Sequence, residues 1–521
     1  MKKIKYLLKA AVILGIVFVF VLPATAMTEK TKPVINKITP YEKLFKLLNL
    51  NPGWEEQASG FWEPYRGINY MCAVNENVVW AVGYDGSGSN QPVQEFTRTT
   101  NGGTLWQADV IDGAPADGDS AMIFALDDMT AWVPIYTMSG ANQGIWKTSD
   151  GGNTWVQQTT ADFTGGFPNC VHFWDENVGW CMGDPVGGYY EIYTTTDGGN
   201  NWVRVPSSNI PAPSSSIEYG VVGYYDVVGD TVWFGTQDAN YGGRVFKSTD
   251  RGHTWTVSNV IFAPGSYVDI RFKDELNGLA MDKNFEEAAL AETSDGGATW
   301  TVISQTGMCY AADFDYVPGT PNMYVSTGVN TNNPDWQGAS YSLDGGHSWT
   351  KWPEVEGIQL FGTSWVAGRI GWAGNFNEDE VTGGVYKYTP PENEPPSAPV
   401  IEGPVKAKIK TEITYNFTSS DPDGDDIAQY IINWGDGTAE ETINGPFASG
   451  ETVSATHTWT KKGNYVITAK AKDINDAVGP SGTLSITIPK ARTINTPFLK
   501  FLENHPYIFL ILRMVLNQFG L

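Results

Sequence analysis

Cysteine is scarce in this chain. Four occur in 521 residues, Cys72, Cys170, Cys181 and Cys309, and no two form a CxxC pair, which argues against a zinc site built from thiolates. Cys170 and Cys181 flank the turn-like segment Asp175 to Asn177 and form the one candidate disulfide, with buried free thiols as the alternative. Positive charge is also short: 33 Lys and Arg stand against 58 Asp and Glu, a formal net charge of -25. Such a field repels phosphates and anionic headgroups, so nucleic acid is excluded as a partner of the main body. Cationic partners fit better, and an acidic surface also keeps a secreted protein in solution. The five histidines, His172, His253, His347, His457 and His505, are scattered, and no G-x-S-x-G elbow is present, so neither a histidine metal centre nor that nucleophile motif is indicated.

What is abundant points to strands. Aromatics make up 13% with 20 Trp, Gly numbers 57, and charged residues are only 17%, a composition for many short strands and tight turns. The first residues read as a secretory signal peptide, 1–26: Lys2, Lys3, Lys5 and Lys9, an apolar run from Ala10 to Leu22, then Ala24-Thr25-Ala26 as cleavage signal. An uncleaved anchor is the alternative. Residues 27–50 form a partly helical N-terminal segment.

A loop recurs six times: RTTNGGTLW (Arg98 to Trp106), KTSDGGNTW (Lys147 to Trp155), TTTDGGNNW (Thr194 to Trp202), KSTDRGHTW (Lys247 to Trp255), ETSDGGATW (Glu292 to Trp300) and YSLDGGHSW (Tyr341 to Trp349). Its acid or amide positions, Asn101, Asp150, Asp197, Asp250, Asp295 and Asp344, lie 49, 47, 53, 45 and 49 residues apart, so one supersecondary unit is being reused. Seven apolar signatures accompany it, among them NVVWAVG (Asn77 to Gly83), VGWCMG (Val178 to Gly183) and IGWAG (Ile370 to Gly374). Each unit reads as four antiparallel strands, the make-up of a propeller blade. The last unit stops after its third strand at GGVYKYT (Gly383 to Thr389), while NPGWEEQAS (Asn51 to Ser59) supplies a stray fourth-strand segment. The expectation is a seven-bladed β-propeller over 51–389, closed by the 54–59 strand beside the Val385 strand.

These repeats resemble the Asp-box, or BNR, motif of sialidases, sortilin-type receptors, xyloglucanases and the photosystem II assembly factor group. The resemblance implies a structural turn between the third and fourth strands, on the face away from the binding site. The chemistry agrees: Asp accepts N–H bonds within its own turn, Gly takes the positive φ, and Trp covers the turn.

The opposite face receives the loops after the second strands, where propeller ligands usually bind. Candidate ligand-binding residues there are Tyr84, Asp85, Asp184, Tyr189, Asp238, Tyr241, Asp282, Glu286, Trp336, Glu378 and Asp379. Carboxylates and aromatic faces suit a glycan or a protein ligand. No catalytic residue is assigned. Sialidase chemistry needs three arginines on the sugar carboxylate, and the propeller has only Arg66, Arg98, Arg204, Arg244, Arg251, Arg271 and Arg369, two of them in the recurrent turns.

After a Pro-rich linker, 390–398, the segment 399–490 resembles a PKD domain, an immunoglobulin-like β-sandwich of secreted and archaeal surface proteins, through Asp421 to Asp425, Trp434-Gly435-Asp436-Gly437, His457 with Trp459, and Gly463 with Tyr465. Asp421, Asp423, Asp425 and Asp473 are candidate Ca²⁺ ligands, although DPDGD also makes a good turn without metal. The apolar, helical C-terminal tail, 491–521, is broken by Pro506 and suits envelope or membrane-surface association. The sequence therefore describes an all-β, exported or cell-surface protein, a noncatalytic binding or adhesion protein requiring no cofactor. Two alternatives stand beside it: a carbohydrate-active hydrolase or lyase with carboxylates at the propeller mouth, and an extracytoplasmic assembly factor.

Overall fold

The computed structural model describes residues 53–283, 288–330, 332–391, 393–422, 425–489 and 496–518. The leader, the 27–50 segment, Glu286 and Asp423 lie outside the described residues. No helix among the described residues is long and apolar enough to cross a membrane.

Residues 53–389 are all β and propeller-like, a series of antiparallel four-strand meanders. Four of them, beginning with Pro168–Phe173, Tyr219–Val228, Val268–Phe272 and Asp313–Tyr316, keep their strands in chain order. In another the first strand is split into Gly118–Ser120 and Phe124–Ala125, both paired with Ala131–Thr137. The remaining eight strands touch through one residue pair, Gly67 opposite Phe376, which divides them into two further groups of four. One begins with Arg66–Ala73. The other holds Thr363–Val366, Ile370–Asp379 and Thr382–Thr389, with Gly53–Ala58 as its fourth strand. Trp54 stands opposite Tyr388 and Gln57 opposite Val385, so the two ends of this region share a sheet. The Trp54 ring meets Trp352 and Trp365 edge-on at 5.6 and 5.8 Å.

The second strands are apolar because neighbouring sheets cover both of their faces. Trp80, Trp132, Trp180, Trp233 and Trp372 are all fully buried. Directly across the ladder, Arg98 faces Trp80, Lys147 faces Trp132, Lys247 faces Trp233 and Lys387 faces Trp372. Each cation lies over its ring, 4.9 to 5.6 Å from the centroid. Three then reach the next group of strands: Arg98 donates to the Asp128 carbonyl, Lys147 to Gly198 O at 3.1 Å and Lys387 to Gly102 O at 2.8 Å.

The recurrent turns are closed by their own polar groups. In one, Gly152 N donates to Thr148 Oγ1 at 2.9 Å, Thr154 N to Asp150 Oδ1 at 2.9 Å and Thr154 Oγ1 to Asp150 Oδ2 at 2.7 Å. The same bonds recur at Asp250, Asp295 and Asp344, and at Asp197 with Asn201 in the place of Thr. Asn101 accepts the equivalent Leu105 N at 2.9 Å. These bonds hold the Asp150, Asp197 and Asp295 carboxyls below the usual carboxylate range, that of Asp295 at about 2.

Cys170 and Cys181 form no disulfide, which corrects the candidate bridge between them. The register sets Cys170 opposite Met182 and Cys181 opposite Val171, so the two thiols project from opposite faces of one sheet. Cys170 packs with Trp180 and Met182, Cys181 with Trp132 and Phe173, and burial pushes both thiol pKa values up.

The C-terminal sandwich pairs a three-stranded sheet, Val400–Glu402, Ile413–Thr418 and Thr452–His457, with a four-stranded one, Glu441–Phe447, Ile427–Asn433, Gly463–Asp473 and Gly482–Ile488. Tyr415, Phe417, Tyr430, Trp434 and Trp459 fill the space between them. Trp434 stacks on His457 at 4.7 Å. Two helices, Thr496–Asn504 and Pro506–Gln518, end the described chain.

Replacing Lys387 by Ala removes both a cation–π contact and a hydrogen bond across the seam between the last and first groups. The expected loss is about 1–2 kcal/mol, read as a lower melting temperature in a thermal scan. Lys387→Arg should recover most of it, and an unchanged melt for Lys387→Ala would refute the seam's contribution.

Candidate functional site

The first strands of all seven groups converge. Tyr70, Phe124, His172, Tyr225, Arg271, Asp315 and Ser364, one from each, line a common central cavity of about 230 Å³. Most of its lining comes from the second halves of those strands, toward the short turns that lead into the second strands. The cavity therefore lies at the turn end of a central channel.

Buried charges form its floor. Arg271 Nη1 meets Asp269 Oδ1 at 2.8 Å, with Asp313 and Asp315 at 3.6 and 3.5 Å from its other nitrogens. Lys283 Nζ bridges Asp269 at 3.2 Å and Asp313 at 2.9 Å, and lies 4.3 Å from the centroid of the Tyr224 ring. Asp226 accepts the backbone N–H groups of Val227 and Phe272. Charges this deep persist only when paired or hydrogen-bonded: Arg271, Lys283, Asp269, Asp313 and Asp315 are in ion pairs, and Asp226 is held by backbone N–H groups. Burial works against the Lys283 charge, but Asp313 and Asp269 outweigh it and hold its pKa up at about 12. Burial pushes the Asp226 carboxyl up and the Asp315 carboxyl up to about 7, with Arg271 opposing the rise in both. Above this layer Tyr70 Oη crosses the channel to Val222 O at 2.6 Å, joining the first group to the fourth.

The loop end is different. Asn169 Nδ2 donates to Asp184 Oδ1 at 2.8 Å, and burial pushes the Asp184 carboxyl up to about 6. Tyr219 Oη and Tyr267 Oη are 3.4 Å apart. Asp282 accepts Ser266 Oγ at 3.0 Å and Tyr267 N at 3.2 Å. These residues open or close the inner strands of three successive groups, so Asp184 and Asp282 are brought to one mouth.

The other expected ligand residues are dispersed. Asp238 is fully buried and accepts Ser214 Oγ and Ser215 Oγ, each at 2.7 Å; burial opposes its charge, yet these bonds hold its carboxyl below the usual range. It braces two loops and offers no free face to a ligand, which corrects its assignment. Asp85 caps its own loop through Ser87 N and Gln91 N. Tyr84 packs inward on Phe361 and Phe376. Tyr189 lies against Arg204 at 4.4 Å. Tyr241 is exposed, Trp336 sits in a short 3-10 turn, and Glu378 and Asp379 lie exposed at a hairpin tip. Sequence reasoning missed the charged floor, Tyr219 and Tyr267. The signal for the floor was present as VDIRF and DFDY, charged residues at alternate positions in strands otherwise read as core.

Among the sandwich acids, Asp473 accepts Asn393 Nδ2 at 2.9 Å, Asp425 accepts Arg369 Nη2 at 3.1 Å and Asn475 Nδ2, and Asp425 N donates to Asp421 Oδ1 at 3.3 Å. Arg369 comes from the turn between Thr363–Val366 and Ile370–Asp379, so the sandwich contacts the turn end of the propeller-like region. Among the described residues no three potential ligands are set to hold a metal ion.

Raised carboxyl pKa values mean that the folded chain binds protons more tightly than the unfolded one. Stability from Asp315, Asp184 and Glu191, the last pushed by burial up to about 7, is therefore greatest below the unfolded carboxylate pKa of about 4 and falls as pH rises toward 7. The melting temperature should drop between pH 5 and pH 8, and Asp315→Asn should flatten that slope; an equal slope in the variant would refute the assignment.

The PKD domain family matches residues 393–488. No curated protein is significantly similar to the chain. The PKD domain of an M14-like peptidase from a Thermoplasmatales archaeon is 49% identical, over 19% of this chain and 100% of its own, with a TM-score of 0.18. Trypanosoma rangeli sialidase in complex with the inhibitor DANA is 10% identical, over 83% of this chain and 86% of its own, with a TM-score of 0.37. Residues 393–488 are a PKD domain.

Proposed function

We propose that this chain is an exported, cell-surface binding protein: a seven-bladed Asp-box β-propeller whose loop end recognises a glycan or a protein without catalysis, joined to a PKD spacer. The carrying observation is the mouth formed by Asn169–Asp184, Tyr219–Tyr267 and Ser266–Asp282. Partly exposed aromatic rings beside hydrogen-bonded carboxylates offer stacking and directional acceptors together, the combination a sugar or a polar peptide needs. The turn-end aspartates are consumed by their own turns, and the PKD domain already engages that end through Arg369.

The leader supports export, and the tail supports attachment to the envelope or membrane surface, since Tyr507, Leu510, Ile511 and Met514 are exposed. Calcium enters this reading only at Asp421, Asp423, Asp425 and Asp473, as a ligand of the PKD domain. A second reading rests on Asp184: a buried carboxyl with a pKa near 6 is what a general acid requires, and it would make the mouth that of a carbohydrate-active hydrolase.

Glycan arrays and polysaccharide hydrolysis assays on the purified protein test both. Tyr219→Ala and Asp282→Ala should each weaken binding about tenfold or more, whereas Asp197→Ala should lower the melting temperature and leave binding intact. Turnover abolished by Asp184→Asn would overturn the noncatalytic reading, and binding that survives both mouth substitutions would remove the mouth.

A further inference from the structure

One motif of the PKD domain belongs to neither end of the channel. Asn416-Phe417-Thr418 is the only place in the 521 residues where an Asn has a Ser or Thr two positions on, the pattern to which N-linked saccharides are attached. A three-residue pattern arises readily by chance, so its surroundings decide whether it can be used. The triplet lies in Ile413–Thr418, the middle strand of the three-stranded sheet, where successive side chains point to opposite faces. Tyr415 and Phe417 are fully buried in the core, which turns Thr414, Asn416 and Thr418 outward.

Three observations favour use of the motif. The first is the amide itself. Asn416 is partly exposed, its Oδ1 accepts Ser454 Oγ at 2.8 Å, and its Nδ2, which donates to no group among the described residues, is not among the buried polar atoms and so faces water. The second is the space around it. Across the ladder Asn416 stands opposite Ser454 and Thr418 opposite Thr452, and Ser454, Thr452 and Thr414 are exposed, so a bulky group rising from Nδ2 meets only small hydroxyl side chains on these two strands. The third is propensity. Asn is disfavoured within strands, where Thr or Val suits a half-buried position better, so strand formation gives no reason for Asn here.

We propose that Asn416 carries an N-linked saccharide. This rests on the export reading above, because the modification belongs to secreted chains. The donor is a saccharide carried on a polyisoprenyl phosphate. The bond from its anomeric carbon to the phosphate oxygen breaks, a bond from that carbon to Asn416 Nδ2 forms, the amide proton passes to a base of the transferring enzyme, and the lipid phosphate leaves. In the folded sheet the Thr418 hydroxyl is shared with Thr452 Oγ1 at 2.7 Å, so the motif is read before these two strands pair. The finished sheet then has only to accommodate the product, and its open outer face does so without disturbing Tyr415 or Phe417 beneath.

Peptide mass spectrometry of the full chain, isolated from the cells that make it after separating medium and envelope from cytoplasm, tests this. The exported chain should carry saccharide mass on the peptide containing Asn416. Asn416→Gln and Thr418→Val should each abolish that mass and Thr418→Ser should retain it, with melting curves showing that the three variants are folded. An exported chain bare at Asn416, or saccharide on Asn416 that survives Thr418→Val, would overturn this proposal and leave the export reading standing. A chain found only in the cytoplasm would overturn the export reading and this proposal with it.

Discussion

The propeller-like region depends on its seams. A four-stranded sheet has two faces and this chain covers both with neighbouring sheets, so each junction must bury apolar surface and satisfy the polar groups at its rim. The recurrent solution is a second-strand Trp, a third-strand cation over it, and a turn carbonyl on the adjoining sheet that accepts from the cation. This explains a requirement that the turn alone does not. A side chain at Gly198, where φ is 75°, would bring its Cβ within 2.8 Å of Glu176 O and 3.1 Å of Lys147 Nζ, and one at Gly103, where φ is 87°, within 2.0 Å of Gln57 Oε1. Glycine is required there by the positive φ, a side chain at Gly198 would also meet the Glu176 carbonyl, and at both positions it would displace a seam side chain of the neighbouring sheet. Lys387 reaching Gly102 shows that the seam between the chain's late and early strands uses the same chemistry as the internal ones.

Features with local causes were legible in the sequence. Apolar second strands, Asp-centred turns and the Trp434-Gly-Asp-Gly hairpin of the PKD domain each announce themselves within ten residues, and the all-β class follows from them. The seam cations Arg98 and Lys147 were visible as the first residue of RTTN and KTSD, but their acceptors belong to another unit, about 30 to 50 residues further on. The cysteine pair misled because proximity along a hairpin says nothing about face: a one-residue offset in register turns two thiols away from each other. The loop acids misled for a related reason. Asp85 and Asp238 bond first to the backbone and hydroxyls of their own surroundings, as short polar side chains in loops do.

The charged floor of the channel needed three-dimensional register. Asp269 and Arg271 are two residues apart and so share a strand face, but Asp313, Asp315 and Lys283 join them only when adjacent sheets pack together. No sequence window contains that cluster. Its composition also limits what it can do. Removing one partner from a buried ion network leaves an uncompensated charge, typically at a loss of about 3–5 kcal/mol, so the floor acts as a fixed element and not as a gate.

That rigidity separates the two ends of the channel. Tyr70 spanning to Val222 and Lys283 held between Asp269, Asp313 and the Tyr224 ring stand between the loop-end mouth and the turn-end cavity. A ligand passing from one to the other would have to break a cross-channel hydrogen bond and expose paired charges. The ends are therefore chemically distinct: amide, phenol and carboxylate groups of Asn169, Tyr219, Tyr267 and Asp282 stand at one, while aromatic rings and hydrogen-bonded acids line the other. The Arg369–Asp425 contact sets the PKD domain against the turn end, so the loop end of the propeller-like region lies away from that contact.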